Sequence, residues 1–447
     1  MSTYLIKNPT IVNEGKIFNA DVLIKNGRIE KIAEHITCKQ KVTLIEGENL
    51  HLLPGMIDDQ VHFREPGLTE KADIGTESEA AVAGGITSYM EMPNCTPPTL
   101  NIERLDDKKR LAAQKSHANF AFYLGASNDN LKVLTQLKPN DACGIKIFMG
   151  ASTGNMLVDN PETLAGFFKN APILIATHCE DTPMILENAR RFKEKYGDAV
   201  PIECHPDIRS REACFKSSHL AISLAEKFNT RLHVLHITTK EELALFKNNL
   251  PLREKRITAE VCAHHLYFSR KDYQSKGNLI KCNPAIKEEA DRLALLQAVN
   301  DDIIDVIATD HAPHTFAEKQ NLYSQAPAGM PLVQEALVSI LEHYHRGILS
   351  LQKIVQKTAH APAIAYKVKE RGFIKEGYFA DLVLVDLNKK HEISNGKSLY
   401  KSGWTPFNGI CFSSKIEKTF VNGLLKYSDG KLVSDQKGTA LQFNQIF

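Results

Sequence analysis

The chain has 447 residues, 43% of them hydrophobic and 24% charged, with a formal net charge of +2. That length excludes a single small domain and suits a large domain with a smaller companion. The near-neutral charge, with no basic stripe or interleaved aromatics, excludes a nucleic-acid surface.

Residues 4–53 hold short β-rich runs, Tyr4–Ile6, Ala20–Ile24, Arg28–Ala33 and Val42–Ile45, separated by turn signals such as Asn26-Gly27 and Glu46-Gly47. The middle of the chain then alternates. Apolar strand-like runs recur at Leu52–Ile57, Ile86–Met92, Phe120–Leu124, Gly144–Phe148, Ile173–Thr177, Leu232–Ile237, Ile257–Cys262 and Val306–Thr309. Helical periodicity marks Asp73–Ala83, Glu103–Ala113, Ser217–Phe228, Glu289–Val299 and Leu332–His345. Residues 380–447 return to β texture, with Asp381–Val385 as a strand and Asn422-Gly423 and Asp429-Gly430 as turns. Strands alternating with helices are compatible with a parallel barrel or an open doubly wound sheet. Polar residues at or just past the apolar runs (Asp58, Asn94, Lys146, His178, His236, Asp310) favour the barrel, where all strand ends converge on one mouth. The expected fold is therefore α/β: a (β/α)8 barrel over residues 54–369, with a small composite β domain from residues 1–53 and 370–447.

No apolar run is long enough to span a membrane, and Met1 to Ile11 lacks a secretory pattern. The nine cysteines are scattered without a CxxC pair, which points to a cytoplasmic location and against disulfides or a Cys-ligated zinc. All nine read as small buried apolar residues.

His62, His178, His236 and Asp310 each follow a different strand. A lone histidine there is ordinarily structural, but four such groups at equivalent ends offer the nitrogen and oxygen donors of a catalytic Zn²⁺. Asp310 opens the dense polar run Asp310-His311-Ala312-Pro313-His314. Lys146 sits inside the apolar run Gly144-Ile145-Lys146-Ile147-Phe148. Alone it reads as a snorkelling lysine. Among histidines, a buried amine that loses its charge can add CO₂ and become an anionic carbamate able to bridge two cations.

Val61-His62-Phe63-Arg64-Glu65-Pro66-Gly67, Met92-Pro93-Asn94, Gly144-Ile145-Lys146, Asn283-Pro284-Ala285 and Asp310-His311-Ala312-Pro313-His314 together resemble the dihydroorotases of the amidohydrolase superfamily. The resemblance runs in order over nearly the whole chain. It implies a (β/α)8 barrel with a small β domain from both chain ends. It also implies reversible cyclisation of N-carbamoyl-L-aspartate to L-dihydroorotate in pyrimidine biosynthesis, using one or two Zn²⁺. His62, Lys146 (N6-carboxylated), His178, His236 and Asp310 are the implied ligands, and Asp310 also moves the proton. The first histidine of the family's His-x-His pair is Gln60 here, a weaker donor, which implies a looser metal position or a single tightly held ion.

The substrate carboxylate separates this activity from the allantoinase and hydantoinase branches. Arg64 can grip it bidentately, and Asn94 and His314 can donate to it. By resemblance, Asn283 contacts the pyrimidine ring, and backbone groups of Ala328 and Gly329 touch substrate. His264-His265 read as structural. A second alternative is a non-catalytic homologue serving aspartate transcarbamoylase, but such chains lose several ligands and this one departs at Gln60 alone. A homodimer is the expected assembly, with a small molecule rather than a nucleic acid or membrane as partner.

Overall fold

Eight short parallel strands make the barrel wall: β1 (Met56–Val61), β2 (Ile86–Glu91), β3 (Asn119–Phe122), β4 (Ile145–Phe148), β5 (Ile175–His178), β6 (Leu232–Val234), β7 (Ile257–Cys262) and β8 (Val306–Ala308). The structure is a computed structural model and describes residues 3–39, 41–150 and 155–444. The strands are buried almost throughout, as expected where helices cover one face and the barrel interior the other. Pairing runs in order from β1 to β8. The ring closes through a parallel bridge between Val61 and His311 and a 2.7 Å bond from His62 N–H to the His311 carbonyl. Asp58 clamps the same seam, accepting from Thr309 N–H at 3.2 Å and Thr309 Oγ1 at 2.6 Å.

Two of the expected runs are divided. The run over Leu52–Ile57 splits at Gly55: His51–Pro54 belongs to the small domain and β1 begins at Met56. A side chain at Gly55 would lie 2.2 Å from Thr87, so only glycine lets the chain pass between the layers. The run over Phe120–Leu124 breaks at Tyr123, whose hydroxyl turns inward to the Asp59 carbonyl at 2.9 Å and to the Tyr366 hydroxyl at 2.7 Å. Leu124–Gly125 resumes beyond it and pairs with β4.

The helices follow their caps. Asp73, Asn101 and Ser210 each accept from a backbone N–H in the first turn of the helix they precede. The helix expected from Leu332 starts instead at Ala336. The N–H groups of Leu332 and Val333 are given to His311 Nδ1, at 2.9 and 3.3 Å, rather than to helical bonding.

The two chain ends interleave in one sheet. Its order is Lys431–Leu432, Leu424–Ser428, Lys415–Val421, Leu382–Asp386, His51–Pro54, Thr10–Asn13, Lys16–Asn19. In the Thr10–Asn19 hairpin the first strand is buried through Ile11–Asn13, whereas Lys16–Asn19 is exposed throughout and forms the sheet edge. Between Asp386 and Lys415 the chain leaves this sheet and lies against the barrel, where Tyr400 reaches Glu335 and Trp404 reaches the His314 carbonyl. Among the described residues all nine cysteines are free. Seven are buried as expected, but Cys38 is half-buried and Cys411 is exposed, since both lie in surface segments outside the barrel.

The last described residues close the barrel floor. Leu441 and Phe443 are buried against Met90, Tyr123 and Tyr366. Leu441→Ala removes part of that plug and is expected to lower the unfolding free energy by about 2–5 kcal/mol. Chemical denaturation measures this, and an unchanged midpoint would mean the plug carries no load.

Candidate metal centre and anion pocket

Three residues at the barrel mouth adopt a left-handed backbone: Arg64 (φ 68°), His236 (φ 40°) and Asp310 (φ 51°). Such conformations are costly for residues other than glycine and tend to be held where a site requires them. Here they turn three side chains of adjoining loops into one space.

His62 Nδ1 lies 2.7 Å from Asn94 Oδ1, so it carries the proton and donates. That leaves the lone pair on Nε2, which faces Asp310 Oδ1 at 3.1 Å. Across the mouth, His178 Nε2 donates to Glu180 Oε2 at 2.9 Å, leaving the lone pair on Nδ1, which faces His236 Nε2 at 3.0 Å. Lys146, on β4, is buried between these pairs, close enough that its charge acts on His62, His178, His236 and Asp310 alike. Burial pulls its ammonium down to about 8. Burial likewise holds the three imidazoles below their ordinary range, hence neutral, the form that ligates metal. Burial alone pushes Asp310 up, but the His62 contact overcomes it and keeps the carboxylate ionised. The His62 Nε2 lone pair directed at the Asp310 carboxylate calls for a cation between them, and His178 Nδ1 and His236 Nε2 offer further nitrogen donors. The residues present fit a divalent ion with nitrogen and oxygen donors.

Gln60 stands beside this set. Its Nε2 donates to Asp310 Oδ1 at 3.1 Å, and its Oε1 faces Cys262 Sγ at 3.8 Å. Offering that oxygen to an ion requires a half-turn of the amide.

The second feature is an excess of donors. Arg64 is buried, and among the described residues no carboxylate lies within ion-pair distance of it. Its Nε bonds the Pro313 carbonyl at 3.0 Å, and its other end lies 3.0 Å from His314 Nε2. Burial draws its guanidinium down to about 10. Lys71 Nζ lies 3.2 Å from the other ring nitrogen, His314 Nδ1, and Nε2 is also 3.1 Å from the Ala328 carbonyl. Burial and the two cations keep His314 neutral. Asn94 spends its oxygen on His62 and keeps its amide N–H groups. Lys71 pairs with Glu318 at 2.7 Å, so the buried Arg64 guanidinium, with the amide of Asn94 beside it, makes the candidate anion pocket next to the metal-ligand candidates.

The loop that carries Ala328 and Gly329 is pinned by Lys319, whose Nζ donates to the carbonyls of Pro327 and Gly329 at 2.8 and 2.7 Å. Gly329 (φ 129°) gives its N–H to the Lys281 carbonyl at 2.8 Å, and a Cβ there would lie 2.4 Å from the Ala312 carbonyl. Its contribution is close packing, with its own polar groups already used. Asn283 and Ala328 line a cavity of about 370 Å³ together with Arg209, Lys281 and Tyr323. Asn283 Oδ1 is buried without a hydrogen-bond partner.

Glu180, Arg209 and Lys319 escaped the reading of the sequence. The first was accessible, because Glu180 stands two residues after His178 in a strand-end run. Lys319 looks like any surface-helix lysine until its burial is seen. His311, inside the same motif as Asp310, is structural: its Nε2 meets Glu77 at 2.8 Å. His265 bonds the Pro284 carbonyl at 3.2 Å, whereas both ring nitrogens of His264 are buried without partners.

Residues 51–426 match the amidohydrolase family. The dihydroorotase of Methanosarcina acetivorans is 32% identical over 414 residues, which is 91% of this chain and 88% of that protein. The dihydroorotase of Pyrococcus abyssi is also 32% identical, over 95% of each chain. That of Bacillus cereus is 32% identical over 95% of this chain and 98% of its own length. Among solved structures, the L-hydantoinase (dihydropyrimidinase) of Arthrobacter aurescens superposes with a TM-score of 0.92 at 22% identity, over 99% of this chain and 100% of that one. The dihydropyrimidinase of Brevibacillus agri gives 0.88 at 22% identity, over 98% and 99%. At such identity the likeness is one of fold, the barrel with its small β domain.

Glu180 sets the tautomer of His178. Burial pushes the Glu180 carboxyl up, but Arg209 and His178 overcome this and hold it well below the usual carboxylate range. Glu180→Gln is expected to weaken metal affinity by about 10–100-fold, as read by competition with a chelator. Unaltered affinity would show that the His178 lone pair is aimed by packing alone.

Proposed function

The chain belongs to the amidohydrolase family, and on that premise we propose that it is a dihydroorotase, a cyclic amide hydrolase interconverting L-dihydroorotate and N-carbamoyl-L-aspartate. The observation that carries the substrate is Arg64, a buried guanidinium with no carboxylate partner beside the metal ligands. Leaving it so is costly unless the substrate brings the missing anion. Dihydroorotate carries an exocyclic carboxylate; the neutral rings of allantoin and dihydrouracil do not. The near-complete ligand set, with Gln60 as the one departure, speaks against a non-catalytic subunit.

His62, His178, His236, Asp310 and a carboxylated Lys146 would hold Zn²⁺. The neutral amine that carboxylation needs is accessible because burial draws Lys146 down to about 8. Bound zinc supplies Lewis acidity and a water acidic enough to ionise near neutral pH. Arg64, Asn94 and His314 grip the substrate carboxylate and so orient the ring amide toward the ligand cluster. Asn283 meets the ring edge from the adjoining cavity, and Ala328 closes the other side. In ring opening, Asp310 accepts the proton of the attacking water and delivers it to the departing ring nitrogen. In ring closure it takes the ureido N–H proton as that nitrogen attacks the side-chain carboxylate, and returns it to the carboxylate oxygen that leaves as water. Gln60 steadies Asp310 through its amide N–H.

The test is a spectrophotometric assay of purified protein with dihydroorotate, allantoin and dihydrouracil, each with and without added zinc. Turnover of dihydroorotate alone, lost on chelation and restored by zinc, is expected; preferential turnover of allantoin or dihydrouracil would overturn the proposal. Arg64→Met should raise KM by the equivalent of about 2–5 kcal/mol, with a smaller change in kcat. An unchanged KM would move the carboxylate elsewhere. Asp310→Ala should abolish turnover in a protein that still folds by circular dichroism. Near-normal rates would remove its role in proton transfer.

A further inference from the structure

Inside the barrel, one layer below the mouth, Asp59 of β1, His233 of β6 and Glu260 of β7 meet with no exposure to solvent. One donor atom from each lies within 4.8 Å of the others. His233 Nδ1 is 2.7 Å from Thr258 Oγ1, whose own hydroxyl is directed to the Leu232 carbonyl at 3.3 Å. Thr258 therefore accepts from the Nδ1–H, and Nε2 points into the cluster. It lies 3.1 Å from Asp59 Oδ2 and 3.5 Å from Glu260 Oε2. Neither contact has hydrogen-bond geometry. Asp59 Oδ1 and Oδ2, His233 Nε2 and Glu260 Oε2 are all buried without a hydrogen-bond partner.

We infer that these three side chains form a second cation site, distinct from the mouth, that takes a divalent transition ion of the zinc or manganese class. Asp59 Oδ2, His233 Nε2 and Glu260 Oε2 supply three of the four positions of a four-coordinate ion. Metal–donor bonds of about 2.1 Å place tetrahedral donors roughly 3.4 Å apart, and the measured separations of 3.1 and 3.5 Å bracket that value. The rival occupant is a proton: despite burial, Asp59 and Glu260 draw the His233 imidazole up to about 9, so a dication has to displace the proton from Nε2. The nitrogen and oxygen donors match the preference of these ions. Glu260 Oε1 also accepts the His236 N–H at 3.1 Å, so the inner site would brace the backbone of a mouth ligand.

The experiment uses the full chain expressed in medium supplemented with zinc alone or manganese alone. Metal per chain is counted by plasma mass spectrometry, and crystals are measured at the edge of the metal supplied. The wild type is expected to carry one equivalent more than Asp59→Asn, with an anomalous peak between Asp59, His233 and Glu260 in addition to any peak at the mouth. Equal metal content in the two folded proteins would overturn the inference, as would a wild-type map with peaks at the mouth and none in the inner cluster. If Asp59→Asn does not fold, the wild-type map decides alone. Loss of dihydroorotate turnover bears on the mouth and leaves this result independent.

Discussion

Lone pairs forced to face one another are the constraint on which this molecule is organised. His62 and His178 each have one ring nitrogen committed to a second partner, Asn94 and Glu180, whereas His236 Nδ1 has none among the described residues. The remaining nitrogens have only other acceptors or imidazoles opposite them. A flexible chain would relax such an arrangement by turning away. A closed barrel does not allow it, because the ligands stem from strands fixed by parallel pairing and by the Asp58–Thr309 clamp across the closing seam. The left-handed backbone at His236 and Asp310 adds about 1–3 kcal/mol of strain at each position, held in place by the surrounding wall.

The anion pocket obeys the opposite rule. There Arg64, His314 and the amide of Asn94 gather on one side of the mouth, and the neighbouring cation, Lys71, is already paired with Glu318. An acceptor-rich half and a donor-rich half side by side form a two-part receptacle, one part for a cation and the other for a carboxylate. The fold itself is shared with hydantoinases at 22% identity, so the barrel does not choose the substrate. The choice lies in the loops after β1 and β8, which carry Arg64 and His314.

Much of this was legible in the sequence. The barrel could be read because buried parallel strands are continuous apolar runs, and the candidate ligands stood out as polar residues at or just past those runs. What stayed hidden depends on distance rather than pattern. Gly55 looks like an ordinary turn residue until Thr87 is seen to fill the space beside it. Tyr123 looks like part of a strand until its hydroxyl finds Asp59 and Tyr366. The delayed helix start at Ala336 follows from His311 capturing two backbone N–H groups, which no local propensity encodes. Asp59, His233 and Glu260 are far apart in sequence, each mid-strand and each unremarkable alone, and only barrel closure brings them together.

The Trp404 indole N–H bonds the His314 carbonyl at 2.8 Å, from a segment lying beyond the barrel in chain order. This has a consequence for biogenesis. While the chain emerges from the ribosome, every metal ligand is available once Asp310 has appeared, yet the loop bearing His314 lacks its indole brace until nearly a hundred more residues have followed. The residues of the candidate metal centre are thus all synthesised before the indole that braces the His314 loop.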